Sequence, residues 1–347
     1  MNETFNREEA GKRAEDEAKR ADMKQHADKI IQGFEKLEES HAERRAIWEL
    51  FQNAIDLSEN CEIIITITDN TTEFKHNGKP FTAKTLISLI KQVSSKSPEN
   101  NDDEVGQYGT GFITTHSFGK KILLSGSLQE DNYFIQFDNF EIDRIAKNSE
   151  ELIDKLMDQQ NKVFYLIRNE NEKIKTECSP FTTFTYQTTS GLEKQRAENS
   201  ISELKLILPY VMTINKKLQK VIVIDKSNNK TVYQKSNVSS ENDLTITSIQ
   251  INQAIQKVYS ISTEQNHLII ILPLEEQNNA FVFAENLSKL FLFYPLIGTE
   301  KFGFNFLVHS KKFAPTEPRD GIHLKSQNEQ ILEKRQVTEI CYKKRLS

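Results

Sequence analysis

From Ile30 onward a mostly apolar series steps alternately by four and three: Ile30, Phe34, Leu37, His41, Arg44, Trp48, Phe51 and Ile55. That spacing lays one stripe along an amphipathic helix, or along two helices joined near Ser40. The stripe stops at Asp56, and the chain soon reads CEIIITIT, a β-branched run that predicts a strand buried on both faces. Helices come first and several strands follow, an order that predicts an α+β protein with helices layered on an antiparallel-rich sheet.

The end of the stripe, ELFQNAID at 49–56, is unusual. Glu49, Asn53 and Asp56 are spaced i, i+4, i+7, so they share an arc of about 60°. Ile47, Leu50, Phe51, Ala54 and Ile55 take the other side. One face packs, and the other presents two carboxylates and a carboxamide. A solvated helix face has the same pattern, so the residues downstream decide between the two readings.

The 347 residues suffice for two domains, and 37 % hydrophobic with 27 % charged residues suits a globular protein. No apolar run approaches the ~20 residues of a membrane span. The polar start, MNETFNREEAGKRAEDEAKR, resembles neither a secretory signal nor a transit peptide. Cys61, Cys178 and Cys341 are far apart and have no metal spacing, so reduced thiols and a cytoplasmic location are expected. A net charge of −5 gives the whole chain no electrostatic ground for nucleic-acid binding, although a local basic patch could still meet DNA.

Along the chain, 1–40 reads as a charged helical segment, exposed or taken up by a partner. After CEIIITIT and the turn Asp69-Asn70-Thr71, EFKHNG starts a strand that ends at a glycine. Thr82 is a candidate N-cap for a helix through Leu86, Ile87, Leu89, Ile90 and Val93. SSKSPENNDDE, 94–104, has no apolar residue and predicts a loop. KKILLSGSL, NYFIQFD, KVFYLIR and FTTFTYQT read as strands. The polar SGLEKQRAENS predicts a boundary near 190–200, followed by a short helix, ISELKLILPYV, and by strands KVIVID, KTVYQ, DLTITSIQI, HLIIILPL and FGFNFLV. His41, His116, His267, His309 and His323 have no partners at a spacing that suggests a triad or a zinc site.

Two further segments bear on ELFQNAID. In Gly106-Gln107-Tyr108-Gly109-Thr110-Gly111-Phe112 the glycines allow a tight backbone whose N–H groups can meet an anion, with a helix expected from Phe112. No Gly-Lys-Ser/Thr follows, which excludes a P-loop, and the glycine spacing is not that of a dinucleotide fold. His76-Asn77-Gly78-Lys79-Pro80-Phe81 ends a strand on a turn pair.

In this order and spacing the three segments resemble the GHKL ATPases, the family of gyrase, the heat-shock chaperone, histidine kinases and MutL. There a helix carries E-x-x-x-N-A-x-D, a strand end carries D-x-G-x-G, and a lid ends in G-x-x-G-x-G. The first and third motifs match here, and the resemblance spans about the first 190 residues. It implies a GHKL (Bergerat) α/β sandwich at 30–195 with a lid at 94–111, then a smaller α/β transducer (middle) domain at 196–347. It implies Glu49 as the general base on the attacking water, Asn53 as a ligand of a phosphate-bridging Mg²⁺, and Asp56 in a supporting role. Gly106, Gly109 and Gly111, with the N–H groups of Gln107, Tyr108, Thr110 and Phe112, would hold the phosphates, and Lys96 could approach them.

The second motif departs from the family, which has an aspartate accepting the adenine amino group where this chain has His76. A neutral imidazole could accept through its unprotonated nitrogen, and Asn77 beside Gly78 through its amide oxygen. H-N-G-x-P-F resembles sacsin-type members, on the chaperone branch. That branch implies an adenine-side threonine, here Thr183 with Thr182 as the alternative. It also implies a γ-phosphate arginine from the second domain, here Arg319, with Lys311 and Lys312 as weaker candidates.

The resemblance thus implies Mg²⁺-dependent ATP hydrolysis, slow because a lid and a second-domain arginine must converge. It implies a chaperone-like or remodelling role with a protein client or accessory protein, and a homodimer formed on nucleotide binding. The chain stops soon after the Arg319 loop, so a piece of a longer protein is one expectation. The alternatives are a MutL-like DNA-maintenance or antiviral defence ATPase, and a nucleotide-binding regulator with little turnover.

Overall fold

The computed structural model describes residues 6–39, 43–93, 111–169, 174–241, 243–263, 267–275 and 279–313. The protein is α+β, with helices and mixed strand pairing. It divides into two compact units, one reaching Leu57 and resuming over Thr68–Arg196, the other comprising Ser58–Ile67 and the chain from Ala197.

The amphipathic stripe from Ile30 runs along the last turns of α1 (Arg7–Glu39) and along α2 (Glu43–Asp56), two helices rather than one. The first turns of α1 are exposed, and burial begins with Met23, Ala27 and Ile30. Arg20 of α1 pairs with Glu150 and Asp154, and Lys91 pairs with Asp22. From Ala46 to Ile55 every residue of α2 is buried except Glu49 and Asn53, which are half-exposed, as is Asp56. The polar arc is therefore the open face of an otherwise enclosed helix.

CEIIITIT becomes β1 (Cys61–Ile67), and its burial alternates: Cys61, Ile63, Ile65 and Ile67 are buried while Glu62, Ile64 and Thr66 are intermediate. The expectation of full burial on both faces is corrected here. β2 (Thr71–His76), β3 (Phe81–Thr82) and α3 (Ala83–Lys91) follow. Thr82 caps α3 as expected, its hydroxyl accepting from the Thr85 N–H at 3.2 Å. The helix ends at Lys91 rather than Val93, because Gln92 turns left-handed at φ 54° and the Val93 N–H returns to the Ser88 carbonyl.

Next come α4 (Gly111–Thr115), β4 (Lys121–Glu130), β5 (Tyr133–Asp143) and α5 (Ser149–Arg168). The predicted strand KVFYLIR is instead the end of α5. Asn148 caps that helix, Glu150 and Glu151 fill its first turn, and Leu152, Ile153, Leu156 and Val163 are buried at helical spacing. β6 (Ile174–Lys175) and β7 (Thr182–Gln187) complete the sheet of the first unit, in the order β2-β7-β4-β5-β6. β3 lies parallel to β4, and the other pairings of this sheet are antiparallel.

The polar segment after Ser190 is helical, and the division between the two units lies within it, between Arg196 and Ala197. It begins α6 (Gly191–Ile214), of which ISELKLILPYV is only the later part. Ser190 and Glu193 form a reciprocal cap: the Glu193 carboxylate accepts from the Ser190 N–H at 2.9 Å, and the Ser190 hydroxyl accepts from the Glu193 N–H at 3.2 Å.

The remaining strands are β8 (Leu218–Ile224), β9 (Lys230–Glu241), β10 (Leu244–Ile251), β11 (Ala254–Thr263), β12 (Leu268–Leu272), β13 (Leu290–Leu292), β14 (Tyr294–Pro295) and β15 (Leu307–Ser310). They run in the order β14-β13-β15-β12-β11-β10-β9-β8, and β1 lies parallel to β8. Leu268, Leu290, Leu296, Val308 and Phe313 form a core there. No helix among the described residues is long and apolar enough to cross a membrane.

Candidate functional site

Four elements of the first unit carry described site residues: the open face of α2, the start of α4, the end of β2 and the start of β7. α4 packs on α2, and Gly111 meets Glu49 there. A methyl group added at Gly111 would overlap the carboxylate, with the Glu49 carboxyl carbon only 2.7 Å away. The Thr114 hydroxyl donates to the Gly111 carbonyl at 2.7 Å, and the Thr115 hydroxyl to that of Phe112 at 2.7 Å, which closes this short helix on itself. The Phe112 ring lies 5.9 Å from that of Phe184 and edge-on to His116 at 5.7 Å. His116 is buried between Phe112 and Phe34, and desolvation pushes its pKa down to about 3.

Asn53 sits one turn beyond Glu49 on the open face. Among the described residues no group of three His, Cys, Asp or Glu side chains could hold a metal. A single carboxamide beside a carboxylate fits an ion held mainly by phosphates and water, as Mg²⁺ is, and does not fit a protein cage.

The end of β2 is tied to the end of α2. The Lys79 N–H donates to the Leu57 carbonyl at 2.9 Å, and a methyl at Gly78 would stand 2.8 Å from Leu57 Cβ. Asp56 and the Asn77-Gly78 turn are thereby neighbours, both half-exposed. His76 is only 3 % exposed. Its Nδ1 accepts the Gly78 N–H at 3.0 Å, and its ring stacks on Phe184 at 27° with centroids 6.0 Å apart. Desolvation pushes its pKa down to about 4, so the ring is neutral at pH 7.

The β2–β7 register separates the two threonine candidates. His76 pairs with Thr182, and Lys75 with Thr183. Directly opposed residues of an antiparallel pair share a face. Thr182 is therefore on the face of His76, Phe74 and Phe184, where Phe51 of α2 and Phe112 of α4 also pack. Thr183 lies on the opposite face with Lys75.

Lys96, Gly106, Gln107, Tyr108, Gly109, Thr110 and Arg319 lie outside the described residues. Lys311 and Lys312 are described at the end of the second unit, Lys311 with its amine 5.7 Å from the Phe293 ring centroid.

The sequence reading missed Arg144. Its guanidinium is buried and donates to the Ile90 carbonyl at 2.5 Å, to the Leu89 carbonyl at 3.5 Å and to Gln159 Oε1 at 3.4 Å. It thus caps the C-terminus of α3, the last described element before residue 94. Desolvation lowers its pKa to about 9. Nothing in the local pattern DRIAKN marks a buried arginine, because its acceptors come from distant segments. No family model matches the chain, and no curated protein sequence matches it.

Proposed function

We propose that the chain binds ATP with Mg²⁺ and hydrolyses it slowly to ADP and phosphate, as a GHKL-type ATPase of the chaperone branch. The observation that carries this reading is the contact between the Glu49 carboxylate and Gly111. It brings a half-exposed acid from the helix motif to the last glycine of the Gly-rich motif, two segments about sixty residues apart in sequence. In this reading Glu49 takes a proton from the attacking water, for which a carboxylate must come within hydrogen-bond reach. Asn53 supplies its oxygen to the ion. Bound Mg²⁺ would neutralise phosphate charge. Arg319 would add donors to the γ-phosphate, and Arg319→Ala should lower kcat by about 10–10³-fold.

Calorimetric titration with a non-hydrolysable ATP analogue, with and without Mg²⁺, tests the binding. Glu49→Ala tests the chemistry: it should bind nucleotide and not turn it over. Absence of magnesium-dependent binding would remove the reading.

A nucleotide-binding regulator with little turnover is the second reading. It is favoured by His76, where the resemblance implies an acid. Such a protein would bind the analogue, but wild type and Glu49→Ala would show equally negligible hydrolysis.

A further inference from the structure

The end of β2 holds an unusual donor. His76 is 97 % enclosed by relative surface, since only 3 % remains exposed, and its Nδ1 is already taken by the Gly78 N–H at 3.0 Å. A backbone N–H can only donate, so Nδ1 must accept and therefore carries no proton. In a neutral imidazole the other nitrogen then bears it. Nε2 has no hydrogen-bond partner among the described residues. Turning the ring over would put a carbon against the Gly78 N–H and leave that donor unpaired. The stacked Phe184 and the tilted Phe74 confine the ring from the sides. Gly78 makes the lock, because a side chain there would begin 2.8 Å from Nδ1.

We propose that His76 reads its ligand as a hydrogen-bond donor, through Nε2–H, and so selects a purine by an acceptor atom at ring position 1 or 6. This rests on the nucleotide-site reading above. A carboxylate at this position would demand the amino group of adenine and reject a 6-oxo group. An Nε2–H does the opposite. It pairs with adenine N1 or with the 6-oxo oxygen of hypoxanthine or guanine, and it gains nothing from an exocyclic amine. The nitrogen expected from sequence to accept the adenine amine is the one occupied by Gly78. The site should therefore accept 6-oxopurine triphosphates alongside ATP.

Two measurements on the intact chain test this. Long-range ¹H–¹⁵N spectra of the imidazole should show Nδ1 unprotonated and Nε2 protonated. The reverse tautomer would overturn the proposal whatever nucleotide binds. Calorimetry with Mg²⁺ and non-hydrolysable analogues should show the inosine compound binding within about threefold of the adenosine compound. A 1-deazaadenosine compound, which lacks the N1 acceptor, should bind roughly tenfold more weakly, the scale of one lost hydrogen bond. His76→Asp should instead favour adenosine over inosine by about tenfold or more. Wild-type rejection of inosine, together with indifference to the deaza substitution, would overturn the donor assignment while leaving the ATP site standing. If the Nε2–H tautomer is present and no nucleotide binds, the ATP reading fails and the proposal falls with it.

Discussion

The Glu49 carboxylate lies against the α-carbon of Gly111, with no room between them for a side chain. Gly111→Ala should therefore displace the acid without touching the rest of α2. If Glu49 is the base, kcat should fall about 10²-fold or more, the scale of general-base catalysis, with the melting temperature little changed. Steady-state ATPase assays beside thermal melts decide this. Undiminished turnover would mean that Glu49 does not handle the water.

Thr182 and Thr183 are adjacent in sequence and opposite in facing. Thr182→Val should weaken nucleotide binding, since Thr182 shares the His76 face, and Thr183→Val should leave it unchanged. The comparison needs only calorimetry on two near-isosteric variants. Equal effects would place the base elsewhere.

Arg144 binds three acceptors from two helices. Arg144→Ala removes the 2.5 Å donor to the Ile90 carbonyl, while Leu89 keeps the Gln92 N–H and amide, and the loss should be about 3 kcal/mol, the upper range for charged hydrogen bonds. Arg144→Lys should recover little, because an ammonium cannot reproduce the planar fork. Urea unfolding gives the magnitude. Hydrogen exchange should show faster exchange in the last turn of α3, and unaltered exchange there would mean that the cap does not hold the helix end.

Acid should destabilise both units through buried histidines. Desolvation holds His76 and His309 near 4 and His116 near 3, against 6.5 for a free imidazole. Well above pH 6.5 folded and unfolded chains are both neutral at these rings, so they contribute little pH dependence there. As pH falls below 6.5 the unfolded chain takes up protons that the folded chain refuses, and stability is lost down to about pH 4. At pH 5 each ring should cost roughly 2 kcal/mol relative to pH 7. Urea unfolding at the two pH values should show that loss, and His116→Gln should reduce it for the first unit. An unchanged pH dependence in that variant would contradict the assignment.

Local pattern carries much of the fold. The four-three stripe covers the end of α1 and nearly all of α2, the Thr82 cap and the start of α3 follow from side-chain chemistry, and many strands read as apolar runs. Where local pattern misled, the cause was context. KVFYLIR looks like a strand in a short window, but the Asn148 cap and the spacing of Leu152, Ile153, Leu156 and Val163 make it the end of a helix. SGLEKQRAENS reads as a polar stretch ahead of a short helix, although its Ser190–Glu193 box begins α6.

By itself the sequence determined the helix face of Glu49, Asn53 and Asp56, because residues seven apart on one helix are related by covalent geometry alone. Only the tertiary structure decided what that face meets. It set Gly111 against Glu49 and put Thr182 rather than Thr183 on the side of His76. Strand register and hydrogen-bond partnership depend on how separate segments close upon one another, and no periodicity within a segment records that.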